Sequence, residues 1–177
     1  LSFNFEFTEW IHLIESLNIP NDILQNYFLA NSSHVVDLAF YVGGKPNELS
    51  HYVSGGLAWH KSASIFAGSG ITETGALFSY QANWGSPGRW SLEFLTKKYR
   101  LILKPMEKLQ IQKLNSIDIE FYNDIDYSID ERFKPGLYKQ VECFLYESEN
   151  LKEQTLCSIK EQILNYKNIY KKIANYQ

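Results

Sequence analysis

Phe3, Phe5 and Phe7 alternate with Asn4 and Glu6, the two-residue period of a strand with one buried face. Trp10, Leu13, Ile14 and Leu17 then switch to helical spacing, so a strand is expected to feed a helix. A break at Pro20-Asn21-Asp22 precedes a short segment ending at Ala30. Asn31-Ser32-Ser33 next offers N-capping side chains for a helix through Val42, closed by Gly43-Gly44 and Pro46. From 48 to 122 the pattern becomes β-branched and aromatic stretches separated by Gly, Ser, Asn and Pro, at 48–54, 57–66, 74–82, 89–95, 98–104, 107–113 and 116–122. Spacing this close favours hairpins over helical crossovers. Gly68-Ser69-Gly70 falls between two of these stretches and reads as a hairpin turn. The expectation is an α+β fold with a large open, mostly antiparallel sheet of about six or seven strands and helices packed on one face. Partial alternation at 101–104 and 109–112 suits a sheet whose second face is also partly covered, by a partner. After a polar connection at 124–132, Pro135 opens a helix carrying Leu137, Val141, Phe144 and Leu145. A last helix, roughly 152–175, sets Leu156, Ile159, Ile163, Tyr166, Tyr170 and Ile173 on one side and a Lys-rich face on the other.

Composition narrows the class. A chain of 177 residues holds one domain with a real core and is too short for two full domains. Apolar residues at 45% and charged residues at 21% exclude disorder as the main state. A net charge of −3 supplies no basic field for a phosphate backbone, which argues against nucleic acid as the main partner. No apolar run approaches the roughly 18 residues of a membrane span. The start has neither an initiator Met nor a signal layout, and it opens directly in strand pattern, as if cut from a longer chain. Cys143 and Cys157, each in a helical pattern, fit reduced thiols in a cytoplasmic protein better than a disulfide framework, and no zinc or other metal site is expected.

Two regions carry candidate chemistry. On the helix after Asn31, the residues Val35, Leu38, Ala39 and Val42 form the core stripe, while His34, Asp37 and Tyr41 share an adjacent face. An imidazole one turn from a carboxylate can be held in one tautomer for acid/base work on a hydroxyl or carbonyl. The same spacing also suits a backbone-bonded Asp37 and a structural His34. In the second region, Tyr80, Asn83, Trp84, Arg89 and Trp90 combine flat apolar faces with amide, hydroxyl and guanidinium donors, a mixture that stacks on sugar rings and clamps carboxylates or phosphates. Sheet-face aromatics with a structural arginine would look alike. No G-x-G-x-x-G follows a strand, so no dinucleotide cradle is expected in this chain.

The stretch from Asn31 to Phe40, with His34 and Asp37 in H-x-x-D spacing and Gly44 and Pro46 behind it, resembles the helix that opens the second half of the Gfo/Idh/MocA (glucose-fructose oxidoreductase and inositol dehydrogenase) family. Gly68-Ser69-Gly70, the block from Phe78 to Trp90, and the run from Phe133 to Tyr138 are similar to its sugar-processing branches. The resemblance covers nearly the whole chain and only the C-terminal domain. It implies that residues 1–177 are the substrate-binding and oligomerising domain of an NAD- or NADP-dependent sugar or sugar-nucleotide oxidoreductase. The N-terminal Rossmann domain and the Lys of the E-K-P motif would lie outside this chain, which alone would be inactive and bind no cofactor. His34 would then exchange a proton with a sugar hydroxyl, and Asp37 would orient it or contact substrate. Tyr80, Asn83, Trp84 and Arg89 remain substrate-binding candidates on their composition, and Asn31 on its place at the start of the matched stretch. Many members carry an Asp four residues before the His; here that position is Ala30, with Asn31 beside it. The other reading is a non-catalytic carbohydrate-binding or dimerisation module. Either reading expects a homodimer or tetramer through the sheet face.

Overall fold

A computed structural model describes residues 1–145 and 156–176. Its centre is an eight-stranded sheet: β1 (Ser2–Glu6), β2 (Pro46–Ser54), β3 (Ile65–Thr72), β4 (Leu77–Asn83), β5 (Ser91–Leu95), β6 (Tyr99–Leu103), β7 (Leu109–Lys113) and β8 (Ile119–Phe121), in the order β2-β3-β4-β1-β5-β6-β7-β8. Two antiparallel meanders, β2 to β4 and β5 to β8, are joined by β1, which runs parallel to β4 and antiparallel to β5. The sheet is thus α+β in context and mostly antiparallel, one strand larger than expected.

The inward side chains of β1 make the seam. Phe3 stacks between Phe78 and Phe94 at 5.6 Å from each, and Phe5 stacks on Tyr80 at 5.2 Å. Phe7 meets the Phe28 and Phe66 rings at 5.5 and 5.4 Å. The helix α3 (Ser33–Gly43) lies over this row, with Phe40 edge-on to Phe3, Phe5 and Phe78. Gly44, at φ +98°, ends α3 and returns its N–H to the Phe40 carbonyl, as the Gly-Gly-Pro stop predicts.

Three expectations change in the structure. Gly68-Ser69-Gly70 is no turn: it lies inside β3, paired to β2 on one side and β4 on the other. A Cβ on Gly68 would strike the Tyr80 ring and the Ser50 carbonyl, and one on Gly70 the Glu48 carbonyl and the Phe78 ring. The glycines therefore make room for β4's large inward rings, a close-approach role. The expected strand at 57–66 is largely a loop. Gly55, at φ +68°, turns the chain away, reciprocal bonds between Leu57 and His60 close a tight bend, and β3 begins at Ile65. Finally, Asn31-Ser32-Ser33 supplies no N-cap to α3. Ser32 is in helical geometry without a capping bond, and a π-helical turn, Phe28–Ser32, runs directly into α3. Upstream lie α1 (Ile11–Ser16) and α2 (Asn21–Gln25).

Past the sheet, the polar connection contains a short helix, α4 (Ser128–Arg132), followed by α5 (Leu137–Leu145), which buries none of its residues. The final helical stretch comprises α6 (Ile159–Asn165), a π-helical turn Tyr166–Tyr170, and α7 (Lys171–Ile173). Residues 152–155 of the expected helix lie outside the described residues, and Cys157 precedes α6 rather than lying in it. Ser158 caps α6 by accepting from the Glu161 N–H. The π turn rotates the apolar stripe: Ile169, Tyr170, Ile173 and Ala174 are buried, while Leu156, Ile159 and Ile163 of the expected stripe are exposed. Among the described residues no helix is long and apolar enough to cross a membrane.

His60 ties the chain's end to the loop between β2 and β3. The Ala63 carbonyl, 2.8 Å away, can only accept, so Nδ1 carries the proton and Nε2 accepts from the Tyr176 hydroxyl at 2.9 Å. Burial holds the imidazole below its ordinary value of 6.5, with the Ala63 carbonyl pulling the other way.

Two tests follow from this packing. Gly70→Ala is expected to cost about 2 kcal/mol, because the added carbon meets backbone that cannot yield; urea unfolding checks it. As pH falls below about 6.5, the unfolded chain takes up a proton at His60 that the folded chain refuses, so stability declines toward acid. Thermal midpoints between pH 8 and pH 5 should show this slope, and His60→Gln should flatten it.

Candidate functional site

Past the end of β1 at Glu6 the chain stays buried for three residues. Phe7, Thr8 and Glu9 are all buried there, and at position 9 the side chain is a carboxylate. Glu9 is 1% exposed, and such a group is tolerated only where donors surround it. Four residues supply them. The Ser32 hydroxyl donates to Oε1 at 2.7 Å, and the Trp90 indole N–H donates to Oε1 at 3.1 Å. The Asn31 amide lies 3.1 Å from both oxygens, and Arg89 Nη1 donates to Oε2 at 3.0 Å. Burial pushes the Glu9 carboxyl above its ordinary range, while Ser32, Arg89, Trp90 and Asn31 pull it back.

Ser32 caps nothing because it lies inside continuous helical backbone rather than at a helix start; its hydroxyl donates to Glu9, and the π turn sets Ser32 and Asn31 side by side toward that carboxylate. Tyr27, one turn earlier, shares the Asn31 amide at 3.2 Å, and burial and the nearby Glu9 charge raise its phenol.

Arg89 faces outward from the same cluster. Its guanidinium carbon lies 4.4 Å from the Trp90 ring centre and 5.2 Å from the Trp10 ring centre, so the cation contacts the faces of two indoles. Trp10 is fixed in turn by its N–H bond to the Gly88 carbonyl at 2.7 Å. His34 is exposed on α3 with its ring 6.4 Å from Trp90. Beside this group opens a cleft of about 600 Å³ whose lining includes Glu9, Trp10, His12, Glu15 and Trp84.

The structure therefore gathers His34, Asn31 and Arg89 around Glu9 and Trp90. The other candidates lie elsewhere or are committed to the fold. Asp37 does not turn to His34; it accepts from the Tyr170 hydroxyl at 2.7 Å and from the Asn165 amide at 3.2 Å, pinning α3 to the C-terminal helical stretch. Burial and this bond to Asp37 hold the Tyr170 phenol well above its ordinary value. Tyr80 is a core ring stacked on Phe5, its buried hydroxyl without a hydrogen-bond partner among the described residues. Trp84 is buried, stacked on Trp59 and bonded to the Phe7 carbonyl, although it reaches the cleft floor. Asn83 closes a turn by accepting from the Gly85 N–H. Glu9, Ser32 and Trp10 were not among the sequence candidates. The local signal for Glu9 is its place two residues past Phe7.

No family model and no curated protein matches the chain. Solved structures do. A dehydrogenase (MviM) from Clostridium difficile superposes on 100% of this chain and 55% of its own, with TM-score 0.68 and 14% identity. The chain shares the fold of this dehydrogenase. Levoglucosan dehydrogenase in complex with NADH matches 99% of this chain and 49% of its own, at TM-score 0.51 and 15% identity. A super-repressor mutant of Gal80p from Saccharomyces cerevisiae matches 88% and 48%, at TM-score 0.53 and 11% identity. The chain spans about half the length of each.

A dinucleotide does not fit the strand-to-helix connection of this chain. Between β1 and α1 the backbone passes through Phe7-Thr8-Glu9-Trp10, without a glycine and with a carboxylate where a pyrophosphate would need amide donors. Among the described residues no group of three or more His, Cys, Asp or Glu is placed to hold a metal ion.

Ser32→Ala removes a hydroxyl donated to a buried carboxylate. It is expected to cost about 2 kcal/mol in a urea-unfolding comparison, the range for hydrogen bonds to charged groups.

Proposed function

We propose that this chain is the C-terminal, substrate-binding and oligomerising domain of a nicotinamide-dependent sugar or sugar-nucleotide oxidoreductase. The observation that carries the reading is the exposed His34 beside a donor set held by one buried carboxylate: Asn31, Arg89 and Trp90 on Glu9. The fold shared with dehydrogenases supports it, as does the match to only half of each. The NAD- or NADP-binding Rossmann half belongs to the remainder of the parent protein. Within this chain, the indole faces take the apolar side of a sugar ring, Asn31 and Arg89 hold its hydroxyls, and His34 accepts or returns the proton of the reacting hydroxyl. Asp37 acts on His34 only through the placement of α3, since its carboxylate is engaged with Tyr170 and Asn165.

The sheet face opposite the helices carries Asn4, Glu6, Ser69, Ser79 and Gln81 with the exposed Leu77 and Leu95, a mixed surface suited to a second copy of the domain. The commitment of Asp37 to the fold favours one alternative, a carbohydrate-binding or dimerisation module without catalysis; a repressor carries the same fold.

In the full-length parent, His34→Ala is expected to lower kcat by about 10²- to 10⁴-fold with a smaller change in KM. Unchanged turnover in a folded variant would remove the acid/base role. Sugar binding with no nicotinamide-dependent turnover in the unmutated parent would leave the binding module.

A further inference from the structure

Arg89 and Glu9 divide the site into an inner anion and an outer cation. Glu9 is 1% exposed, whereas the Arg89 side chain is 43% exposed and lies over both the Trp10 and Trp90 rings. We infer that Glu9 sets the charge specificity of this site, neutralising Arg89 so that the Trp10, Arg89 and Trp90 group takes an uncharged pyranose in preference to an acidic sugar. The inference rests on the sugar-binding reading above and adds the substrate class.

The geometry has a simple electrostatic consequence. A ligand anion in contact with the guanidinium would sit about 4 Å from the cation and about twice as far from the carboxylate behind it. Coulomb energy falls as the inverse of distance, so Glu9 cancels roughly half of the attraction. The neighbouring cleft adds Glu15 to the same side of the balance. Hydrogen bonds from the guanidinium to neutral hydroxyls need no net charge, and the stacking of a pyranose on an indole face needs none either. Glu9, almost wholly buried, is thus a positioning and specificity residue that acts through Arg89, Asn31 and Trp90.

The test titrates the tryptophan emission of the full chain with methyl glucopyranoside and methyl galactopyranoside, then with sodium glucuronate and sodium galacturonate. Unmutated protein is expected to bind the neutral sugars more tightly. Glu9→Gln keeps the shape and removes the inner charge, so the uronate-to-neutral affinity ratio should rise about tenfold. Arg89→Gln leaves Glu9 unopposed and should move the ratio the other way. A purely structural role would weaken both sugar classes alike in both variants, judged against far-UV circular dichroism. The inference is overturned if unmutated protein prefers the uronates, or if the ratio is unmoved in either folded variant. A titration in which none of the four sugars perturbs the emission overturns the sugar-binding reading itself.

Discussion

Burial of the inward face of β1 is the constraint from which the rest of the architecture follows. Neither meander can complete its core alone, because the rings that fill the middle of each lean on Phe3, Phe5 and Phe7. Each of these phenylalanines removes a full ring from water, worth roughly 2 kcal/mol. Together they fix the register of β4 on one side and β5 on the other, since a slip of one residue would turn all three rings to the open face. The small residues of β3 are the counterpart, leaving space for Phe78 and Tyr80.

The chain that extends this row also makes the candidate site. Two residues past Phe7 the buried side chain is a carboxylate, and a buried charge must be answered from whatever packs against it. The π turn before α3 answers with Asn31 and Ser32, and the segment before β5 answers with Arg89 and Trp90. Groups 22 to 81 residues away in sequence are thereby held on one carboxylate, with His34 one helical step outside it. Such a cluster is rigid because removing any member leaves another buried polar group unpaired. A binding surface built on it therefore comes pre-ordered, which lowers the entropic cost of holding a ligand.

The C-terminal stretch has a different task. Tyr170 bonded to Asp37 and Tyr176 bonded to His60 clasp the end of the chain across α3 and the loop between β2 and β3. In this arrangement Asp37 serves the fold, and the site draws on the side of α3 that faces Trp90. Exposed apolar residues on α5 and on the first turns of α6 lie outside both the core and this clasp.

The sequence by itself determined the elements whose signals are local. The alternation of Phe3, Phe5 and Phe7, the Gly43-Gly44-Pro46 stop and the short aromatic stretches yield the strands, α3 and the antiparallel character of the sheet, since each depends on neighbours only a few residues away. Local pattern also singled out His34, as a polar group on a largely apolar helix, and Arg89, among mixed aromatic and donor side chains, as candidates that the structure places near one another around Glu9 and Trp90. Tertiary structure alone decided the rest. Gly68-Ser69-Gly70 has the composition of a turn, and becomes strand because Tyr80 and Phe78 need the missing side-chain volume. Ser32 has the composition of a cap, and instead donates to Glu9 because the π turn carries helical backbone through it and leaves no helix start there to cap. Asp37 has the spacing of a histidine partner, and turns instead to Tyr170. In each case the deciding partner lies far along the chain, where the local pattern carries no information about it.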